Sequence, residues 1–130
     1  MKVLYDHQSF SGAKYGGVAR YFYDLMYNLK YEQGIDIELA LQFSNNDYLK
    51  NGDIKNVIPF SFFLGYAKTN MLFSHINRLN SAIQIARQNY DVFHPTYFKD
   101  YFLPFLGKKP FVITHHDVIP EKFSTQYAGL

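Results

Sequence analysis

Residues 1–29, MKVLYDHQSFSGAKYGGVARYFYDLMYNL, decide the fold. Residues 2–5 predict a short buried strand, and a loop that closes on Gly16 and Gly17 follows it. Apolar residues at intervals of four, three and four predict a helix that begins at Gly17: Val18, Phe22, Leu25 and Leu29. This arrangement aims free backbone N–H groups and the positive end of a helix dipole at one point above the strand. An anion, typically a phosphate, binds at such a point.

The rest of the chain repeats strands and helices. Strict alternation of apolar and polar residues predicts a strand at 35–43, and residues 57–58 predict a short third strand. A second helical stripe predicts a long helix over residues 68–88: Leu72, Ile76, Leu79, Ile83 and Ala86. Short apolar runs predict two further strands, at 91–94 and 110–114.

This order of elements predicts a single α/β domain over residues 1–130, a Rossmann-like parallel sheet flanked by helices on both faces. Right-handed crossovers place the carboxyl ends of all parallel strands at one edge, and ligands bind outside that edge. The loop after the first strand, residues 94–97 and residues 115–117 should therefore converge there. The fold alone does not select a function.

Composition excludes several classes of protein. The chain has 130 residues, a net charge of +2 and a charged fraction of 18%. Apart from Lys108 and Lys109 the basic residues are scattered, so we expect no nucleic-acid partner. The absence of cysteine excludes a disulfide framework and a Cys-ligated zinc site. The first residues form a strand rather than a signal segment, and residues 57–67 are too few to cross a bilayer. We therefore expect a cytoplasmic protein whose membrane contact, if it has any, is peripheral and at the inner face of the cell membrane.

Aromatic residues are unusually frequent, with 12 Tyr and 13 Phe but no Trp. Most should fill the core, since large aromatic side chains dominate burial. Two groups, residues 60–63 and 97–105, fall in loop-like segments. They are interpreted either as local packing or as an exposed patch that meets a lipid, a glycan or a neighbouring domain.

Gly16 and Gly17 have two interpretations. They form a tight turn that only glycine tolerates, or they let the backbone approach a phosphate or sugar closely. The loop GAKYGG at residues 12–17 is not the GxGxxG dinucleotide fingerprint, and it lacks the Gly-Lys-Ser/Thr ending of a triphosphate loop.

His115, His116 and Asp117 follow the last predicted strand. Neighbouring side chains on a strand point to opposite faces, so only one imidazole faces the crevice. We therefore expect no metal site and no cofactor. A histidine at this place is either a structural residue or a group that exchanges a proton or hydrogen bond with a substrate hydroxyl near neutral pH. His94, and His7 in the first loop, carry the same ambiguity. No Gly-x-Ser-x-Gly elbow supports a serine hydrolase.

Four blocks resemble the amino-terminal domain of glycosyltransferase family 4, the retaining two-domain sugar transferases. They occur in the family's order and cover essentially the whole chain: YDHQ at 5–8, KYGGVARYF at 14–22, DVFHPTY at 91–97 and THHDVIPEKF at 114–123. The resemblance implies two facing Rossmann-like domains with the active cleft between them. The amino-terminal domain receives a glycan or lipid-linked acceptor, and the carboxyl-terminal domain grips a nucleotide-diphosphate sugar. Bacterial surface polysaccharide synthesis is the implied setting.

The resemblance also implies residue roles. His116 matches the catalytic histidine that contacts the sugar near the reacting centre, and Gly16 and Gly17 would approach the donor diphosphate or the transferred sugar. Arg20, His94 and Asp117 match other positions of the motifs and are candidate donor- or acceptor-binding residues. Members of this type generally need no metal.

Two departures from the family stand out. Ala13 lies where relatives often have glutamine, and the chain ends at Leu130, before any donor domain with its paired-glutamate motif. The expected partner is therefore a carboxyl-terminal domain of the same enzyme, and we expect no transferase activity from these residues alone.

Two other functions remain open from the sequence. One is a non-enzymatic, flavodoxin-like domain that binds a small phosphate ligand in the same crevice. The other is an interaction module whose aromatic loops at 60–63 and 97–105 mediate self-association.

Overall fold

The computed structural model describes residues 1–60 and 65–117. Three strands in this part of the chain form a parallel sheet in the order β2-β1-β3. Short helical segments connect the larger elements. In chain order the elements are β1 Lys2–Tyr5, α1 Gln8–Ser11, α2 Gly17–Tyr31, β2 Asp36–Leu39, a 3₁₀ turn at Asp47–Leu49, α3 Tyr66–Ala86, β3 Val92–His94 and α4 Leu103–Leu106.

The sheet order explains why helices cover both faces. The chain moves from β1 outward to β2 and then returns across β1 to β3, so two crossovers of the same hand place α2 and α3 on opposite sides. On one face Val3 and Tyr5 pack with Phe22 and Met26 of α2. On the other face Leu4 packs with Phe93, Phe102 and, from α3, Ile85. The predicted α/β, Rossmann-like class is confirmed.

Several element bounds agree with the periodicity. β1 spans the predicted residues, and α2 ends at Tyr31, shortly before Gly34. Gly34 has a φ of 65°, a left-handed conformation that favours glycine and ends the helix run.

The strands predicted at 57–58 and 110–114 are each reduced to a single parallel bridge. Ile58 pairs with Phe43, and Phe111 pairs with Phe93. β3 itself ends at His94 because Pro95 follows and has no N–H to continue a ladder. Residues beyond Phe111 therefore have little strand to pair with, and Thr114 instead meets the His94 side chain, with 2.8 Å between Oγ1 and Nε2.

The long helix α3 forms close to the predicted bounds, but its apolar stripe is not its buried face. Thr69, Asn77, Ser81 and Ile85 are fully buried instead. All five residues of the stripe are exposed: Leu72, Ile76, Leu79, Ile83 and Ala86. Although α3 has 21 residues, no helix in the described ranges combines the length and hydropathy needed to cross a bilayer.

The buried polar residues of α3 satisfy backbone groups of the chain that leaves β2. Asn77 Nδ2 donates to the Phe43 carbonyl at 2.6 Å, and Asn77 Oδ1 accepts from the Phe43 N–H at 3.0 Å. Ser81 Oγ donates to the Ala40 carbonyl at 2.6 Å. Buried backbone groups that lack a sheet partner require such bonds. This requirement, rather than hydrophobicity, selects the inward face of α3.

Candidate functional site

The amino terminus of α2 is open. Gly16 is the N-cap, no side chain caps the helix, and the first helical hydrogen bond runs from the Arg20 N–H to the Gly16 carbonyl at 3.0 Å. The N–H groups of Gly17, Val18 and Ala19 consequently have no acceptor within the helix.

Neither glycine is required by the chain's own structure. A Cβ built on Gly16 or Gly17 would meet no atom within 4 Å. The φ of Gly16 is 161°, which is extended backbone that any residue adopts. The tight-turn interpretation therefore finds no support. Glycine at these two positions leaves open space beside the amino terminus of α2, where the first N–H groups have no acceptor within the helix.

His116 lies along the same helix. Its ring centroid is 5.1 Å from that of Tyr21 and 5.4 Å from that of Phe22, both in edge-to-face geometry. Tyr21 is four residues, about one helical turn, beyond Gly17. The Nε2 atom of His116 is buried and has no hydrogen-bond partner among the residues that the structure describes. Buried polar atoms are almost always paired in folded proteins, so this nitrogen is a candidate for a ligand contact.

His94 packs in the interior of the domain against Phe22, the same ring that His116 contacts. It is 7% exposed, and its ring packs 5.1 Å from Tyr5 and 5.2 Å from Phe22. Burial lowers the pKa of His94; Asp6 opposes this effect, whereas His116 adds to it. The Phe22 ring therefore contacts both imidazoles, and His94 acts as a packed, neutral residue that holds Phe22 in place near neutral pH.

The other predicted site residues lie at the surface. Arg20 is exposed, with its Nε 3.7 Å from Asp24 Oδ2 on the next turn of α2. Asp117 is exposed, and so is His115, whose ring centroid is 5.7 Å from that of Phe98. His115 and His116 contact different elements, although residues 112–117 form no strand. Within residues 1–60 and 65–117, no group of His, Asp or Glu side chains is arranged to hold a metal ion.

A buried polar network, not identified from the sequence, joins the carboxyl ends of β1 and β3. Asp6 is fully buried. Its Oδ1 accepts from the Thr96 N–H at 2.8 Å and the Thr96 hydroxyl at 2.7 Å. Its Oδ2 accepts from Gln8 Nε2 at 2.7 Å and from the Tyr101 hydroxyl at 3.0 Å. The strand order reverses between β1 and β3, where α/β proteins form their ligand crevice, so this network fixes the loops that border the site.

His7 belongs to this network rather than to the open site. Its Nδ1 lies 3.0 Å from Ser81 Oγ and 3.2 Å from the Tyr101 hydroxyl. Because Ser81 donates its only hydroxyl proton to the Ala40 carbonyl, it must accept from His7, which places the imidazole proton on Nδ1. Burial lowers the pKa of His7 to about 4. His7 is thus neutral at pH 7 and serves a structural role.

A cavity among the described residues also adjoins the loop that carries Gly16 and Gly17. It has a volume of about 400 Å³, with Gly12, Ala13 and Lys14 on one wall. Asparagine side chains build the opposite walls through internal bonds: Asn46 Nδ2 donates to the Ala13 carbonyl at 2.9 Å, and Asn70 Nδ2 donates to the Gly12 carbonyl at 3.2 Å. Leu49, Val57 and Phe60 supply apolar surface. The Asn-rich segment 44–56 indicated a loop with one helical turn, which matches the turn at Asp47–Leu49, but it did not predict the cavity.

The two aromatic segments differ in burial. Phe60 is 9% exposed and stacks on Phe73 with 4.4 Å between ring centroids, as the packing interpretation expects. Residues 61–63 lie outside the described residues. In the second segment Phe102 is buried, whereas Tyr97, Phe98 and Phe105 are exposed.

No protein-family model, curated protein or solved structure matches this chain significantly. Residues 118–123, the second half of the His-Asp block, lie outside the described residues. The indications of function are therefore the four sequence blocks and the geometry around α2.

Proposed function

We propose that this chain is the acceptor-side domain of a retaining glycosyltransferase, which transfers a sugar from a nucleotide-diphosphate sugar to a glycan or lipid-linked acceptor. Bacterial surface polysaccharide synthesis is the proposed setting, and a carboxyl-terminal nucleotide-sugar domain is the proposed partner. The observation that carries the proposal is the buried, unpaired Nε2 of His116 beside the helix that begins at Gly17. The four motif blocks add independent support.

In this proposal each group near α2 has a distinct role. The free N–H groups after Gly16 and the helix dipole favour oxygen atoms of the donor diphosphate or of the transferred sugar. His116 Nε2 bonds a sugar hydroxyl and orients the donor over the acceptor. His94 is a positioning residue, because it reaches the sugar only through Phe22. Arg20 and Asp117, both exposed, are binding residues at the rim.

The acceptor is assigned to the cavity that adjoins residues 12–14. In this proposal an acceptor bound there approaches a donor held at the amino terminus of α2, because Lys14 in the cavity wall is two residues before Gly16. Its wall contains Ala13, where the family often has a larger polar residue. Ala13 therefore leaves room for a bulkier acceptor group, and its apolar neighbours Leu49 and Phe60 suit a sugar face or a lipid chain.

The test is sugar transfer by the protein that carries this chain together with its nucleotide-sugar domain. We expect His116→Ala to lower kcat/KM about 100-fold, since a group positioned at a reacting centre contributes on the order of 10² or more. His75→Ala, on the exposed side of α3, is the matched control and should leave the rate unchanged. Far-UV circular dichroism and the melting temperature verify the fold of both variants. A His116→Ala enzyme with wild-type kinetics would refute the assignment.

A non-enzymatic phosphate-binding domain is the second candidate, and the uncapped amino terminus of α2 favours it equally. The two differ in what the 130-residue chain does alone. Micromolar or tighter binding of a nucleotide in calorimetric titration, without transfer by any longer form of the protein, would favour the binding domain. Transfer that depends on His116 would favour the enzyme.

A further inference from the structure

The outward face of α3 carries a continuous apolar line, which we call the α3 seam: Leu72, Ile76, Leu79, Ile83 and Ala86. Its members follow one another at intervals of four, three, four and three residues. Leu79 is 64% exposed, Leu72 45%, Ile83 44% and Ile76 36%. Packing within the domain does not explain the seam, because α3 packs on the rest of the domain through Asn77, Ser81 and Ile85, which lie on its other side.

The spacing identifies the kind of surface that fits the seam. The intervals average 3.5 residues, the heptad repeat of helices that pair side by side. Ile76 and Ile83 occupy a positions, while Leu72, Leu79 and Ala86 occupy d positions, and isoleucine at a with leucine at d favours two parallel strands. A stripe confined to a and d is also narrower than the apolar face of a helix that lies on a sheet or in a membrane surface. The expected occupant is therefore another helix.

The residues that flank the seam permit pairing with α3 of a second copy of this chain. The flanking e and g positions between the ends of the seam carry no Lys, Arg, Asp or Glu: Phe73, His75, Asn80 and Ala82 in order along the helix. In a parallel pair Lys68 lies beside Phe73 of the other copy, and Arg87 lies beside Ala82. No like charges face each other across such a contact, so two copies meet without the repulsion that would otherwise exclude self-pairing.

The area is at the lower limit of what a specific dimer needs. The four large apolar residues of the seam expose roughly 350 Å² per copy, or about 700 Å² for two copies. Homodimer interfaces are about 65% apolar, so this corresponds to about 1,100 Å² of total buried surface, just above the roughly 1,000 Å² that a specific interface requires.

We propose that two copies of this chain pair through the α3 seam as a parallel, two-helix contact around a twofold axis. The contact is isologous and closes after two copies, since each seam meets its own equivalent. It does not depend on the proposed sugar transfer, because the seam lies on α3, whereas His116 and the glycines lie along α2.

Sedimentation velocity of the 130-residue chain between about 1 and 200 μM tests the proposal. We expect a dimer at the higher concentrations, and Leu79→Glu should weaken dimerisation at least 100-fold. Leu103→Glu is the matched control, because Leu103 is 50% exposed on α4 and outside the seam; it should dimerise like the wild type. A wild-type chain that stays monomeric at 200 μM would overturn the proposal, as would a dimer that Leu79→Glu leaves intact.

Disulfide trapping determines the orientation. The chain has no cysteine, so a single introduced cysteine forms a disulfide only between copies. Parallel pairing places each d residue opposite its equivalent, so Leu72→Cys and Leu79→Cys should both cross-link under mild oxidation. Cross-linking of Leu79→Cys alone would overturn the parallel arrangement. If the chain is monomeric and binds phosphatidylglycerol vesicles, and Leu79→Glu abolishes that binding, the seam is a lipid-binding surface and self-pairing is overturned. If a longer form of the protein is monomeric and its seam is protected from hydrogen exchange, the seam is covered by another part of the same chain and self-pairing is likewise overturned.

Discussion

The burial of His7 predicts that acid destabilises this protein at a pH where its carboxylates are still ionised. The pKa of His7 is about 4 in the folded chain, against about 6.5 for an unperturbed histidine. Burial is the main cause; Asp6 opposes it, and the cations Lys99 and Arg78 add to it. The unfolded chain therefore binds a proton as the pH falls through about 6.5, while the folded chain does not bind one until about pH 4.

The direction and the size of the change in the free energy of unfolding follow from the difference between the folded and unfolded pKa values of His7. A depressed folded-state pKa contributes stability that is present above about pH 6.5 and is lost as the pH falls toward 4. Between pH 7 and pH 5 the expected loss in the free energy of unfolding is about 2 kcal/mol, from His7 alone. Burial also lowers the pKa of His94, so this residue adds to the loss in the same direction.

Urea denaturation followed by far-UV circular dichroism at pH 7 and pH 5 measures this loss. His7→Gln removes the titrating group, so its stability should change by about 2 kcal/mol less between the two pH values than that of the wild type, whatever its stability at pH 7. His75→Gln controls for the loss of one exposed imidazole and should keep the wild-type difference. If His7→Gln and the wild type lose equal stability on acidification, His7 is not the buried neutral group described above.

Three further results are expected. Thr96→Val should destabilise the fold by about 2–3 kcal/mol in urea denaturation, because it removes one hydrogen bond from the buried Asp6 carboxylate and leaves the Ser9 N–H without its acceptor. Thr69→Val is the matched substitution and should be neutral or slightly stabilising, since the buried Thr69 hydroxyl has no hydrogen-bond partner; equal losses would contradict the network. Gly17→Ala should leave the melting temperature unchanged or raise it by a few degrees, because the new Cβ meets no atom within 4 Å. The same Cβ occupies space assigned to the donor diphosphate, so binding of nucleoside diphosphates, measured by calorimetry, should weaken about tenfold. Unchanged binding would show that the space before α2 is not used by the ligand. In one-dimensional proton spectra at pH 7 the Nδ1 proton of His7 should exchange slowly with water, and a rapidly exchanging proton would contradict its bonds to Ser81 and Tyr101.

Local sequence patterns predicted most elements because those elements depend on neighbouring residues. The spacing of Val18, Phe22 and Leu25 predicts α2, and Gly34 explains its end. The same reasoning identifies β1 and β3. It was wrong for residues 110–114, where strand length depends on the partner strand rather than on the segment itself. β3 stops at His94, so only Phe111 finds a bridge.

The orientation of α3 shows why periodicity alone is insufficient. The stripe from Leu72 to Ala86 predicts a helix, and the usual assumption is that an apolar stripe faces the core. The backbone after β2 requires hydrogen-bond partners, however, and Asn77 and Ser81 provide them. Unpaired buried carbonyls destabilise a fold by amounts comparable to the burial of an apolar side chain, so the polar side turns inward. The hydrogen bonds that orient α3 join residues some 34 to 41 positions apart. A pattern of neighbouring residues in the sequence cannot reveal them.

Hydrogen bonding also distinguishes structural residues from candidate ligand-binding residues at the carboxyl edge of the sheet. Asp6 lies 90 positions from Thr96, yet both Asp6 oxygens are occupied by groups of this chain, and His7 Nδ1 is likewise committed to Ser81 and Tyr101. These residues resemble catalytic groups in type, but a ligand would have to break several buried bonds to reach them. At this edge of the sheet, the groups without partners among the described residues include the first N–H groups of α2 and the Nε2 of His116, and they lie along one helix. A ligand gains most where it satisfies polar groups that the fold leaves unpaired. The chemistry of this domain is therefore expected at α2, on loops that the Asp6 network holds rigid.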